Sequence, residues 1–223
     1  MKSKYIFLSH ILKEDTPSYG DKEKLNIHKI SDIQSGAISN HTKIEMSMHI
    51  GTHIDFPSHF FANSQCAEDF GADFFVFNKP LFISIKPIDK IVGDELIQEL
   101  EKIVNDEYDM LLVKTGEEER RNSNDYVLSN FGFSPKIADF LREHFCSIRV
   151  MGFDTISVSS FADRIVGREA HKAFLNPKNP ILLLEDMSFS KLEPNALIKI
   201  VIVSPLRIHG SDGAPCTVMG EIA

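Results

Sequence analysis

The segment His49-Ile50-Gly51-Thr52-His53-Ile54-Asp55-Phe56-Pro57-Ser58-His59 restricts the fold more than any other stretch of the chain. His49, His53, Asp55 and His59 fall on odd positions, and Ile50, Ile54 and Phe56 on even ones. A strand has a period of two, so it puts the imidazoles and the carboxylate on one face and the apolar side chains on the other. A helix fails as a frame: it turns Asp55 away from His49 and His53, and Gly51 and Pro57 both oppose it. A straight strand fails as well if the polar face is to hold one ion. Residues four apart lie roughly 13 Å apart at about 3.3 Å per residue, and two ligands about 2.1 Å from one zinc cannot be so separated. The segment therefore bends. Gly51 is free to take a bulge or a positive φ, and Pro57 ends the pairing before His59, giving a kinked strand that runs into a loop.

Taken singly, His10, His28, His41, His144 and His209 read as surface or hydrogen-bonded core residues. Three histidines and an aspartate on one face within eleven residues read as a metal site. Imidazole and carboxylate without thiolate suit Zn²⁺ first, with Mn²⁺ or Fe²⁺ as the other candidates, and either one or two ions.

Strand and helix alternate from about residue 80. Leu81 to Ile85 reads as a strand, Asp94 to Val104 as a helix, Met110 to Val113 as a buried strand. Ser134-Pro135 cap a helix that runs to about Phe145. Ile148 to Phe153 is a strand, Arg168 to Leu175 a short helix, Ile181 to Leu184 a strand, and Ile198 to Val203 a final strand. Tyr5 to Leu8 reads as the first. The alternation predicts an α/β layer with partly parallel strands, in which reactive groups gather beyond the carboxyl ends of the strands. Three strands end in polar residues: Lys114-Thr115-Gly116, Asp154-Thr155 and Glu185-Asp186. Each alone is an ordinary strand end. No repeat or linker divides the 223 residues, so one domain over 1–223 is expected.

A formal charge of −8 opposes binding to phosphate backbones and anionic membranes, and no basic patch offsets it. Arg120-Arg121 follow Glu117-Glu118-Glu119 and read as a self-neutralised, solvated loop. The opening Met1-Lys2-Ser3-Lys4 and the short apolar run after it fall far short of a secretory or spanning segment. Cys66, Cys146 and Cys216 form no C-x-x-C pair, so neither a disulfide framework nor a zinc ribbon is expected. The expectation is a cytoplasmic protein acting on a small molecule, without nucleic-acid or membrane partners.

The pattern H-x-G-T-H-x-D-x-P-x-H, complete from His49 to His59, resembles the signature of the cyclase family, which includes bacterial kynurenine formamidases and isatin hydrolases. The resemblance continues through Leu8-Ser9-His10, Leu112-Val113-Lys114-Thr115-Gly116, Gly152-Phe153-Asp154-Thr155, His171, Glu185 and Asp212-Gly213-Ala214-Pro215. It implies a swivelling β/β/α domain with a mixed, partly parallel sheet, assembled as a homodimer or homotetramer. It implies that His49, His53 and Asp55 bind metal, that Asp55 can bridge to a second ion completed by His171 and Glu185, and that His59 is the acid/base. Glu169 and Asp163 stand close to His171 as alternatives. The implied activity is metal-dependent hydrolysis of an amide or cyclic amide of a small molecule, of the arylformamidase type. The competing class is a small-molecule or metal-binding protein that keeps the site without turnover. Family members often carry tryptophan where Glu117 stands, and here Phe56, Phe60, Phe61 and Phe131 are the candidates for a ring-binding wall.

Overall fold

The computed structural model describes residues 4–194 and 196–223; Met1, Lys2 and Ser3 of the opening segment lie outside the described residues. In chain order the strands and helices are β1 (Lys4–Phe7), β2 (Asn26–Ser31), β3 (His41–Glu45), β4 (His53–Asp55), β5 (Val76–Phe77), β6 (Pro80–Ser84), β7 (Ile91–Val92), α1 (Asp94–Glu101) and β8 (Met110–Lys114). They continue with α2 (Asn124–Leu128), β9 (Gly132–Phe133), α3 (Lys136–His144), β10 (Val150–Phe153), α4 (Arg164–Phe174), β11 (Leu182–Glu185), β12 (Ile198–Pro205) and β13 (Gly213–Ile222).

One mixed sheet organises the chain, in the order β5-β12-β13-β4-β11-β10-β8-β6, with β1 added to β13. Strands β6, β8, β10 and β11 run parallel. Every residue of β10 and β11 is buried, as parallel strands covered on both faces should be. Strand β4 is antiparallel to both neighbours, β11 and β13. Strand β12 also comes close to β6, so the sheet curls into a nearly closed barrel. The fold is the mixed, partly parallel α/β architecture expected from the sequence.

The helices bury one stripe each. Leu96 and Leu100 of α1, Ile137, Ala138 and Leu141 of α3, and Ala170 and Phe174 of α4 enter the common core. Helix α4 begins earlier than the sequence pattern indicates, because the Asp163 carboxylate caps Val166 N at 3.2 Å. The cap makes Asp163 a helix terminator and leaves it no part in the metal site.

Three expectations need correction. Strand β12 is not the last: β13 follows it and pairs with β1, β4 and β12. Its first residues, Gly213-Ala214-Pro215, lack the β-branched side chains by which strands are read. Second, Arg121 is no solvated residue. Its guanidinium holds the buried Asp186 through two hydrogen bonds of 2.8 and 2.6 Å, while Arg120 pairs with the buried Glu117. Third, Phe56 is fully buried in the core, under β4, and forms no part of a ligand wall. All three cysteines are free thiols. No helix among the described residues is long and apolar enough to cross a membrane.

Candidate metal centre

The motif segment bends where its spacing requires. Gly51 takes φ +66°, β4 spans only His53 to Asp55, and Pro57 opens a 3₁₀ turn that carries His59. Ile50, Ile54 and Phe56 are buried on the core side, as the period of two demands. The bend brings His49 Nδ1 to 2.8 Å from Asp55 Oδ1, and His53 Nε2 to 3.4 Å from the same oxygen. Register supplies the rest: Glu185 ends β11 directly opposite His53, and its Oε2 lies 3.5 Å from His53 Nε2. Helix α4 delivers His171, whose Nε2 is 3.5 Å from Asp55 Oδ2 and 3.8 Å from Glu185 Oε1. Asp55 is thus the centre of the cluster, with one carboxylate oxygen toward each set of imidazoles.

Backbone carbonyls fix how two of the imidazoles face the cluster. His53 Nδ1–H donates to Gly51 O at 2.9 Å and His171 Nδ1–H to Gly167 O at 2.9 Å. In both rings Nε2 is thereby pointed at the carboxylates and is the nitrogen that would coordinate a metal. Glu185 is held in turn, Oε1 accepting from Val158 N at 2.7 Å and Ser157 Oγ at 3.3 Å.

Burial alone would disfavour every charge in this cluster. It pulls His49 down, but the Asp55 charge and hydrogen bonds to Asp212 and Asp55 outweigh it and push the imidazole up to about 10. Burial likewise opposes ionisation of Asp55, yet the adjacent His49 charge and hydrogen bonds from His171 and His49 hold it well below the usual carboxylate range. Glu185 moves the other way, raised by burial and then by the charge of Asp55. Two buried carboxylates this close call for positive charge between them. His53, Asp55 and Glu185 offer ligand atoms within 4.8 Å of one another, and so do His49, Asp55 and His59. The donor chemistry, imidazole nitrogen and carboxylate oxygen only, fits a divalent transition metal.

His59 lies on the open side of the cluster, its ring stacked on His49 at 4.1 Å, with Phe60 stacked on His171 at 4.4 Å. One residue went unassigned in the sequence reading. Asp212 Oδ2 accepts from His59 Nδ1 at 3.0 Å and from His49 Nε2 at 3.1 Å. Those two hydrogen bonds, from His49 and then His59, hold its carboxyl below the ordinary value. The other two polar strand ends stay structural. Asp154 accepts from Thr115 N, Thr115 Oγ1 and Gly116 N, and Asp186 is tied to Arg121 and Tyr126. Glu169 stands on the exposed side of α4, away from His171.

A nearly closed mixed barrel with four buried imidazole and carboxylate groups, His53 and Asp55 on β4, Glu185 on β11 and His171 on α4, defines an α/β protein with a candidate metal centre. The family model for putative cyclases matches residues 6–160, and the chain belongs to the cyclase family. Kynurenine formamidase from Bacillus thuringiensis subsp. konkukian (strain 97-27) is 28% identical over 214 residues, covering 96% of this chain and 95% of that protein. Among solved structures, isatin hydrolase A from Labrenzia aggregata, bound to benzyl benzoate, superposes with a TM-score of 0.80 at 22% identity, covering 99% of this chain and 94% of the other. A potential metal-dependent hydrolase with cyclase activity superposes with a TM-score of 0.79 at 18% identity, covering 100% and 99%.

Proposed function

We propose that the protein is a metal-dependent hydrolase of amides or cyclic amides of small molecules, with N-formylkynurenine as the first substrate to try. The observation that carries this is the convergence of His49, His53, Asp55, His171 and Glu185 on one buried point, with His59 beside it on the open face. These five residues would hold one or two ions, zinc by first choice and manganese or iron otherwise. When bound, such a centre supplies water activation near neutral pH and polarisation of a carbonyl. The related kynurenine formamidase supports the formamide class, and isatin hydrolase the cyclic amide.

The chain's own groups divide the remaining work. Asp55 and Glu185 supply the negative charge that offsets the cations. His59, whose Nδ1–H is taken by Asp212, is left with Nε2 to carry a proton to a leaving nitrogen. Phe60, stacked on His171 and edge-on to His59, supplies apolar surface for the substrate body. We further propose a homodimer or homotetramer in the cytoplasm. The hairpin of β2 and β3 supports self-association, since Ile27, Ile30 and Ile44 are exposed along it.

The deciding experiment measures metal content and turnover of His59→Ala on one preparation, after a screen of formamides, lactams and lactones finds a substrate. Near-normal metal with kcat lower by about 10²–10⁴ is expected of a lost acid or base. Parallel loss of both would make His59 a ligand, the role its place in the His49-Asp55-His59 group favours as second reading. Unchanged turnover would remove His59 from the reaction and favour a binding protein.

A further inference from the structure

We propose that Asp212 is a positioning residue: a single carboxylate oxygen fixes the ring orientation and tautomer of both His49 and His59. The proposal builds on the hydrolase reading, because it takes His49 as a ligand and His59 as the proton carrier.

Asp212 Oδ2 sits 3.1 Å from His49 Nε2 and 3.0 Å from His59 Nδ1. A carboxylate only accepts, so both facing nitrogens carry their protons. The consequence differs for the two rings. In His49 the other nitrogen, Nδ1, meets Asp55 Oδ1 at 2.8 Å and so faces the cluster; it is the nitrogen that would give up its proton to a bound metal. In His59 the nitrogen left over is Nε2, on the side away from Asp212. One oxygen thereby decides which nitrogen of each ring is available, and the stacked rings, 4.1 Å apart at 29°, share that constraint. A ligand histidine held through its outer N–H is fixed in orientation and made more basic.

The placement of Asp212 is set by the segment that carries the ligands. Its carbonyl accepts from Phe56 N at 3.0 Å, and the next residue, Gly213, pairs with Asp55 across β13 and β4. The carboxylate is therefore registered against Asp55 by main chain alone. Nothing else in its surroundings calls for a negative charge. The side chain is 45% exposed, and among the described residues its ion-pair partners are His49 and His59, with no lysine or arginine. Asp212 is the one hydrogen-bond partner of the His59 ring among the described residues. A half-exposed carboxylate with no structural cation to neutralise acts on what it touches, and it touches the two rings.

The test uses zinc-loaded wild type, Asp212→Asn and Asp212→Glu. Asparagine keeps the shape but offers an amide that can meet either tautomer; glutamate keeps the charge. Histidine-ring ¹⁵N–¹H correlation spectra read the tautomers, competition with a chromophoric chelator reads zinc affinity, and kcat and KM are taken on the substrate found in the screen. Wild type should show His59 protonated at Nδ1 and His49 at Nε2. Asp212→Asn should show mixed tautomers in both rings, zinc affinity lower by about 10–100-fold, and kcat lower by a similar factor at unchanged KM. Asp212→Glu should recover part of each. Wild-type tautomers together with wild-type zinc affinity in Asp212→Asn would overturn the proposal. If wild type itself turns over nothing in the screen, the hydrolase reading fails, and the spectra and zinc titration still decide the role of Asp212.

Discussion

Substituting Gly213 by alanine should empty the metal centre while leaving the core intact. A Cβ on Gly213 would lie 2.4 Å from His49 Cε1, 2.9 Å from Nδ1 and 3.0 Å from Nε2. Strand β13 cannot retreat, because residues 213 to 215 pair with β4 across the middle of the sheet. The half-buried His49 ring must yield instead, by about 1 Å to reach ordinary contact distance. A shift of that size breaks its 2.8 Å contact with Asp55 and its 3.1 Å contact with Asp212. It also exceeds the roughly 0.2 Å within which a metal–nitrogen distance is held. We expect zinc affinity and turnover to fall about 10²-fold, the cost of a 1 Å misplacement. Stability of the metal-free protein should fall by about 1–3 kcal/mol, as for other overpacked sites. Chelator competition reads the affinity and urea unfolding reads the stability. Gly71→Ala serves as control, since a Cβ there meets nothing within 4 Å. Wild-type zinc affinity in Gly213→Ala would refute the reasoning, for it would mean that His49 is not a ligand or that the ring is not confined.

Three further outcomes follow from the same geometry. Purified protein should hold one to two equivalents of a divalent transition metal and lose it progressively on acidification, because protons compete for ligand imidazoles that Asp55 and its neighbours hold above their ordinary value; elemental analysis across a pH series checks this. Asp55→Asn should lose far more metal than Asp163→Asn or Glu169→Gln, and equal loss in all three would place the site elsewhere. Glu117 is raised above its ordinary value, chiefly by burial, and its Oε2 has no hydrogen-bond partner. Its stabilising contribution is therefore complete below about 4.5 and lost as pH rises through the higher folded value. Glu117→Gln should flatten that loss in urea titrations between acid and neutral pH, and a parallel pH dependence in both proteins would contradict it.

The centre was legible in sequence to the extent that local geometry builds it. Period two, Gly51 and Pro57 are enough to place His49, His53, Asp55 and His59 on one face of a bent strand. Glu185 could be read because it ends a buried apolar run. His171 could not be chosen over its neighbours from spacing alone, since only the cap at Asp163 fixes which stripe of α4 faces the sheet. Asp212 carried no signal of its own from spacing: it is one acidic residue in the run Gly210-Ser211-Asp212-Gly213, and its partners depend on the register of β13 against β4. The Arg121–Asp186 pair was hidden for the opposite reason, because the run Glu117 to Arg121 balances its own charge in sequence while the fold pairs Arg121 sixty-five positions away. β13 itself escaped notice because small residues and a proline stand where a strand normally shows branched side chains.

The position of β4 between β11 and β13 also orders events in time. His49, His53 and Asp55 are neighbours along the chain, but Glu185 and His171 reach them only after the parallel strands and α4 have assembled. Closing so long a span of chain must be compensated by the apolar core, since a single ion held by the local trio has no second carboxylate to bind. We therefore expect the barrel to fold without its metal, unlike small zinc domains whose fold waits for the ion. A cell starved of metal would accumulate a folded, dormant protein that can be switched on by supply rather than by new synthesis.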